Sequence, residues 1–491
     1  MDTSSVISPT LAAHVPTGLL VDGRWSPAAG SSTFEVANPA TEDVLFDVAD
    51  GASEDGARAL DAAVAAAAPW RRTPPRTRAD LLHAVFRRMV AHTDDLAALI
   101  TAEGGKPLSE ARAEVTYGAE FVRWYAEQAV RHDGSVRTAP AGGGTQIVQR
   151  RPVGPSLLIT PWNFPLAMAT RKIAPALAAG CTVVVKPSSL APLTTLYVAE
   201  MFRAELEAHG LPAGTVNVVP TSASARLTAP LLADPRLRKL SFTGSTEVGQ
   251  SLLRDAAAGV LRTSMELGGN APFLVFEDAD LDDAVQGAMA AKMRNAGQTC
   301  VAANRFLVQS SVADDFTDRL VAAFEQQVVG DGAEPGVTVG PLIDAGAVES
   351  VEGVVADAVD RGARVRTGGS RPRGRGHFYP PTVLAAVPRD ASAVTDETFG
   401  PVAPVMTFDD DEDALALANG TEHGLVAYAY TRDVGRALML SREIEAGMIG
   451  INRGIVSDAS APFGGVKHSG IGREGGEAGL EEYLETVYVA L

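Results

Sequence analysis

The chain has 491 residues, 46% of them hydrophobic, which suffices for roughly two to four domains with large cores. Forty-two basic residues against 60 acidic ones leave a formal charge of −18, a field that opposes nonspecific binding to nucleic acid or to an anionic membrane surface. Two cysteines, Cys181 and Cys300, are too few for a disulfide framework, and the eight histidines form no HxxxH or HExxH pair; no protein-bound metal is expected, and a reducing cytoplasm fits best.

The opening MDTSSVISPT carries an acid and no basic segment, and no uninterrupted apolar run reaches the roughly 18 residues of a spanning helix, so neither export nor membrane insertion is expected. Residues 80–128 read as two or three amphipathic helices punctuated by Gly104 and Gly105. The Gly- and Pro-rich stretch 132–155 leads into a short alternating segment, which suits an excursion hairpin outside the core. PSLLIT, CTVVVKPSS and TVNVVP are short apolar runs, each closed by a polar residue or Pro. They read as buried parallel strands, and with the helical patterns between them they specify an α/β architecture. SRPRGRG, 370–376, reads as a solvated loop, and Cys181 as core packing at the start of a buried strand. The C-terminal LEEYLETVYVAL ends in another strand-like run, which together with the excursion hairpin would make a subunit interface.

Several motifs carry chemistry. In KLSFTGSTEVGQSLL, Gly244 and Gly249 stand between an apolar strand and a helical pattern; this is either a plain turn or one that aims a helix N-terminus at a phosphate. Lys186 in VVVKPSS sits at the carboxyl end of a strand that Pro187 stops, the edge where open α/β sheets bind ligands. Glu266 in MELGGN lies between apolar neighbours, so it either has a structural partner or carries a raised pKa suited to a general base. Asn163 in PWNFP is held between Trp162 and Phe164, with Pro161 and Pro165 stiffening both flanks; its amide either stabilises its own turn or donates to an oxyanion. Cys300 in NAGQTCVAANR has no histidine near it, and the stretch alone leaves open whether it is filler or nucleophile.

The ordered set PWNFP, VVVKPSS, FTGSTEVG, MELGGN, GQTC, ETFGP and PFGGVKHSGIGREGG resembles the aldehyde dehydrogenase superfamily from about residue 17 to the end. That resemblance implies a Rossmann-like cofactor domain (1–130 and 149–265), an α/β catalytic domain (266–460) and a small β oligomerisation excursion (131–148 and 476–491), in a homodimer or homotetramer. It also implies roles: Cys300 as nucleophile, activated by its local field and by Glu266 or water; Asn163 with the Cys300 N–H as oxyanion donors; and Glu266 as the base that activates water for thioester hydrolysis. The cofactor would meet Thr160, Pro161, Trp162, Lys186, Ser188, Ser189, Gly244, Ser245, Gly249, Leu267, Glu397 and Phe399. At position 189 many relatives that use NAD carry a glutamate on the ribose 2′-hydroxyl; Ser189 would instead hydrogen-bond a 2′-phosphate, which favours NADP, with NAD as the alternative.

Within the superfamily, Arg171, Arg294 and Ser457 match the positions at which succinate-semialdehyde dehydrogenases grip the substrate's carboxylate. Two guanidinium groups suit one carboxylate, and a helical segment would put Arg294 about 9 Å along the axis from Cys300. The expected ligand is therefore a small aldehyde bearing a carboxylate, succinate semialdehyde first and glutarate semialdehyde as the alternative. Bacterial enzymes of this kind often carry a second cysteine two residues after the nucleophile; here that position is Ala302, which excludes a disulfide switch of that form. A CoA-acylating relative is disfavoured by the presence of Glu266. A non-redox thiol esterase is disfavoured by Lys186, Ser245 and Glu397, and a silent structural homologue by the joint presence of Cys300, Glu266 and Asn163.

Overall fold

The computed structural model describes residues 6–491; the first half of MDTSSVISPT lies outside the described residues. Three helices fill the 80–128 region: Pro75–Ala91, Thr93–Gly104 and Leu108–Gln128. Pro75 opens the first at a position where its missing N–H costs nothing. Asp94 and Asp95 favour the start of the second, and Gly105, at φ 79°, ends it in the left-handed conformation that glycine adopts freely. Among the described residues no helix is long and apolar enough to cross a membrane.

The apolar runs form the middle of an eight-stranded sheet. Its parallel centre runs Val216–Val218, Val183–Lys186, Ser156–Ile159, Lys239–Thr243, Arg262–Glu266 in space. The strand order therefore reverses between Ser156–Ile159 and Lys239–Thr243, which are adjacent in space and distant in sequence. At such a switch point the loops leaving the carboxyl ends diverge and open a crevice. Here those loops are Thr160–Asn163 and Gly244–Ser245. Leu157, Leu158, Val183 and Val185 are wholly buried, as strands covered on both faces require.

Beyond Glu266 the chain crosses through Leu267–Asn270 into a second sheet of seven strands. Its parallel core includes Ala271–Val275, Ala303–Gln309 and Val402–Phe408. Each sheet packs its own apolar cluster: Leu158, Val183 and Val185 with the three early helices in one, Phe273, Phe306 and Phe408 in the other. Strands Ser135–Thr138, Thr145–Pro152 and Leu484–Ala490 form a separate antiparallel sheet. Within SRPRGRG, Arg371 pairs with Glu352 at 3.2 Å and Arg375 with Asp43 at 2.8 Å, on an exposed loop.

One expectation about local structure is overturned. The segment carrying Arg294 and Cys300 is not a continuous helix: the helix Leu281–Lys292 stops, and Asn295, Ala296 and Gly297 all take positive φ (52°, 53° and 76°). Three successive left-handed residues are unfavourable alone and persist only where partners fix them. Asn295 N–H donates to Glu110 at 2.7 Å, and its side chain donates to the carbonyls of Asn163 and Gln298, both at 3.2 Å. A Cβ on Gly297 would lie 2.2 Å from the Gly400 carbonyl oxygen, so only glycine fits there.

Candidate active site

A cleft of about 230 Å³ opens where the two sheets meet, lined by the loops that leave the switch point and by the turn before Ala303–Gln309. It gathers Pro161, Trp162, Asn163, Arg171, Gly244, Ser245, Leu267, Arg294, Cys300, Glu397, Phe399 and Ser457. Thr160, Lys186, Ser188, Ser189, Gly249 and Glu266 are not among the residues that line it.

Asn163 and Cys300 are brought together by a shared set of hydrogen bonds. Asn163 Nδ2 donates to the Gln298 carbonyl at 3.1 Å, and the Gln298 side chain accepts from Ile343 N–H at 2.9 Å. Lys106 Nζ donates to the Asn163 carbonyl at 2.7 Å and to Glu114 at 2.5 Å, and lies 3.9 Å from the centre of the Phe164 ring. Glu114 in turn accepts from the N–H groups of Leu166 and Ala167, which open helix Pro165–Ala179. A buried ion pair thus fixes both the loop that carries Asn163 and the helix that carries Arg171. Breaking such a pair costs about 3–5 kcal/mol.

The field around Cys300 runs opposite to the expected activation. Burial pushes the thiol up to about 12; Arg171 pulls it down, Glu397 and Glu266 push it further up, and Arg294 pulls it down. Burial is the largest of these influences, so in this state the thiol dominates at neutral pH.

Glu266 ends its strand fully buried, with neither carboxyl oxygen hydrogen-bonded. It does not line the cleft: its Oε1 faces Gly464, whose Cβ, if present, would lie 2.8 Å away. Burial, then the Glu474 charge, holds its carboxyl well above the usual carboxylate range. Glu474 is the ionised partner. Against the cost of burial, Lys172 and Arg171 hold it below the ordinary value. Lys172 makes a short contact to Glu474 Oε1, and Arg171 Nε lies 2.5 Å from Oε2.

Arg171 is 1% exposed and is stacked 4.2 Å from the Phe463 ring centre. Its Nε faces Glu474, while its Nη2 is buried with no acceptor. Among the described residues Arg294 has no carboxylate partner; its guanidinium lies 5.0 Å over the Phe164 ring. Ser457 and Tyr117 complete this wall. Sequence reading missed Tyr117, Lys106, Glu114 and Glu474. Glu474 lies in the quoted GIGREGG segment, and Glu110 and Glu114 fall four residues apart in a helix, a spacing that puts two acids on one face and marks them for partners.

On the other side, Lys186 is 6% exposed and among the described residues its ammonium has no hydrogen-bond or ion-pair partner; burial alone lowers it to about 8. Ser245 caps helix Thr246–Ala258 with its Oγ 3.4 Å from the Val248 N–H. Gly249 packs that helix on Leu267, where a Cβ would meet Cδ2 at 2.3 Å. Ser189 is half-buried and makes no hydrogen bond, whereas Ser188 Oγ accepts from Leu190 N–H at 3.2 Å. Glu397 accepts from Gly269 N–H at 2.9 Å and is raised to about 7, chiefly by burial. The Trp162 and Phe399 rings meet edge to face at 5.8 Å.

Cys181 is buried. Its Sγ donates to the Tyr483 carbonyl at 3.4 Å, and burial pushes the thiol up to about 11.

The sequence profile of the aldehyde dehydrogenase family matches residues 25–489. A succinate-semialdehyde dehydrogenase of Paenarthrobacter nicotinovorans is 56% identical over 448 residues, 91% of this chain and 99% of that protein. A glutarate-semialdehyde dehydrogenase of Pseudomonas aeruginosa is 47% identical over 471 residues, 96% of each. The crystal structure of an E. coli NADP dependent enzyme superposes with a TM-score of 0.95 at 46% identity, covering 98% of this chain and 99% of that one. Motif order, switch-point cleft and whole-chain similarity agree, and the chain belongs to the aldehyde dehydrogenase family.

Proposed function

We propose that the protein oxidises succinate semialdehyde to succinate, with NADP preferred to NAD as oxidant. The observation that carries the substrate reading is the wall opposite Asn163, where Arg171 keeps a buried N–H without an acceptor and Arg294 has no acidic partner. A substrate carboxylate would supply both acceptors, each charged hydrogen bond being worth about 1.5–3 kcal/mol.

Cys300 Sγ, as thiolate, attacks the aldehyde carbon, and the oxyanion of the thiohemiacetal is held by Asn163 Nδ2 and the Cys300 N–H. A bound nicotinamide cofactor would supply the acceptor for the hydride that leaves this carbon. Cys300 is then left as an acyl thioester. Once Glu266 has lost its proton it removes one from water; the hydroxide adds to the thioester, the C–S bond breaks, and the carboxylate departs with Cys300 restored. Because the Glu266 carboxyl is held well above its usual range and is turned toward Gly464, its base role requires both ionisation and a swing toward the cleft.

The residues behind the cleft suit a dinucleotide. The partnerless ammonium of Lys186 at a strand end, the helix N-terminus at Ser245 and the close-packed Gly249 match the needs of ribose and phosphate groups. Ser189, uncharged and without a partner, supports the 2′-phosphate. The residue ranges 1–130 with 149–265, and 266–460, are proposed as the cofactor and catalytic domains. The separate three-stranded sheet, with Val136, Tyr488 and Leu491 largely exposed, is proposed as the self-association surface of a dimer or tetramer in a reducing compartment.

The test is reduced-cofactor formation at 340 nm with succinic semialdehyde, its five-carbon homologue and butanal, each with NADP and with NAD. Highest kcat/KM for succinic semialdehyde with NADP supports the proposal; a preference for butanal rejects the carboxylate reading. A preference for the five-carbon substrate favours the glutarate semialdehyde reading, which the 47% identical relative keeps open, since two arginines select a carboxylate better than a chain length.

A further inference from the structure

Helix Leu108–Gln128 contributes one polar side chain to the cleft that contains Cys300, Tyr117. Its ring is locked edge to face on Phe121, with centroids 4.8 Å apart. Its hydroxyl is withdrawn from solvent and, among the described residues, makes no well-aligned hydrogen bond, although Arg171 and Ser457 stand within reach of it, a state that native proteins seldom leave unexplained. Arg171 and Ser457 are the side chains beside the hydroxyl, and Arg171 and Arg294 are the charges that act on the ring. Burial, opposed in part by these two cations, holds the phenol above its usual range, so it keeps its proton at neutral pH.

This arrangement has a donor and acceptor imbalance. A guanidinium has five N–H groups and no lone pair, and a phenol beside it can lend its oxygen to an N–H, but its own proton then needs an acceptor. Neither Arg171 nor Arg294 offers one; the Ser457 hydroxyl can accept it but then leaves its own proton in the same need, and Arg171 Nη2 is itself without an acceptor in the same wall. A bound anion with several lone pairs relieves all of them together. A carboxylate presents about four such sites, enough for two guanidiniums and two hydroxyls.

We propose that the Tyr117 hydroxyl is a further donor to the distal carboxylate of the substrate, so that Arg171, Arg294, Ser457 and Tyr117 bind it as a four-residue clamp. The inference rests on the carboxylate reading of the same cleft. It makes Tyr117 a specificity-determining residue: its hydroxyl contributes to a charged tail and nothing to an apolar one. The reacting carbon, held by Cys300 and Asn163, is unaffected by its loss.

Tyr117→Phe keeps the ring and removes the proton donor. Its KM for succinic semialdehyde should rise about 10-fold or more, as expected for a lost hydrogen bond to a charged group, with kcat little changed. Inhibition by the product succinate should weaken by a similar factor, while kcat/KM for butanal, NADP binding and melting temperature stay near wild type. Equal losses for both aldehydes, or none for either, overturn the proposal. Tyr117→Met gives the same readings should the phenylalanine variant fold poorly. The Arg171→Ala/Arg294→Ala double variant separates the two levels. If it retains a preference for succinic semialdehyde, the carboxylate reading itself has failed; if it loses that preference while Tyr117→Phe keeps a wild-type KM, Tyr117 alone is excluded.

Discussion

On the wall that carries Asn163 and Cys300, Asn163 Nδ2 donates to Gln298, Asn295 to Asn163 and Gln298, and Lys106 to Asn163 and Glu114. On the wall that carries Arg171, Arg294 and Tyr117, a guanidinium N–H and a phenol are buried without acceptors, and Arg294 has no acid beside it. The first wall pairs its side-chain donors internally, leaving the Asn163 Oδ1 acceptor without a partner, and so holds the reacting atoms in place. The second leaves donors unspent, and those are the groups a ligand satisfies. Internal pairing marks the positioning side of this cleft, and unpaired donors mark the recognition side.

The sharpest way to break that comparison is at the nucleophile. Cys300→Ser should lower dehydrogenase turnover by at least about 10³-fold, measured at 340 nm, with NADP still bound; retained turnover would remove Cys300 from the mechanism. Next comes the positioning wall. Lys106→Met strands the buried Glu114, so it should cost about 3–5 kcal/mol in denaturant unfolding and lower kcat for charged and neutral aldehydes alike. The two arginines separate more finely. Arg294→Ala should reduce kcat/KM for succinic semialdehyde about 10-fold or more with no change in melting temperature, because no ion pair is lost. Arg171→Ala should lose the same selectivity and also stability, because Glu474 then loses one of its two cations.

Two pH dependences sharpen the account further. Burial and the Glu474 charge raise the Glu266 carboxyl well above its usual range, so its base form grows as pH rises; the deacylation rate should increase with pH and become flat in Glu266→Gln. Alkylation of Cys300 by iodoacetamide in the cofactor-free protein should climb about 10-fold per unit between pH 7 and 9 without a plateau, since the thiol titrates near 12. A plateau near pH 7 would mean that Arg171 and Arg294 outweigh burial.

The features legible in the sequence were those with local causes. Val183–Lys186 reads as a strand because three β-branched residues run into Pro187, and the strand end then delivers Lys186 to the crevice edge. Ser245 and Gly249 follow in the same way from strand to turn to helix. What was missed depends on distant partners. Arg294 does not continue its helix because Glu110, Asn163 and Gln298 hold Asn295 in a left-handed turn. Tyr117 reaches the cleft only because its helix packs on Pro165–Ala179, and the thiol's upward shift comes from burial with Glu397 and Glu266, none of which a window around Cys300 contains.

The most direct test of the recognition wall is the ratio of kcat/KM for succinic semialdehyde to that for butanal, measured with NADP in wild type and in Arg294→Ala. The account predicts a ratio well above one in wild type that falls about 10-fold or more in the variant while the butanal value holds. A ratio that is unchanged, because both values fall together or neither does, would contradict it.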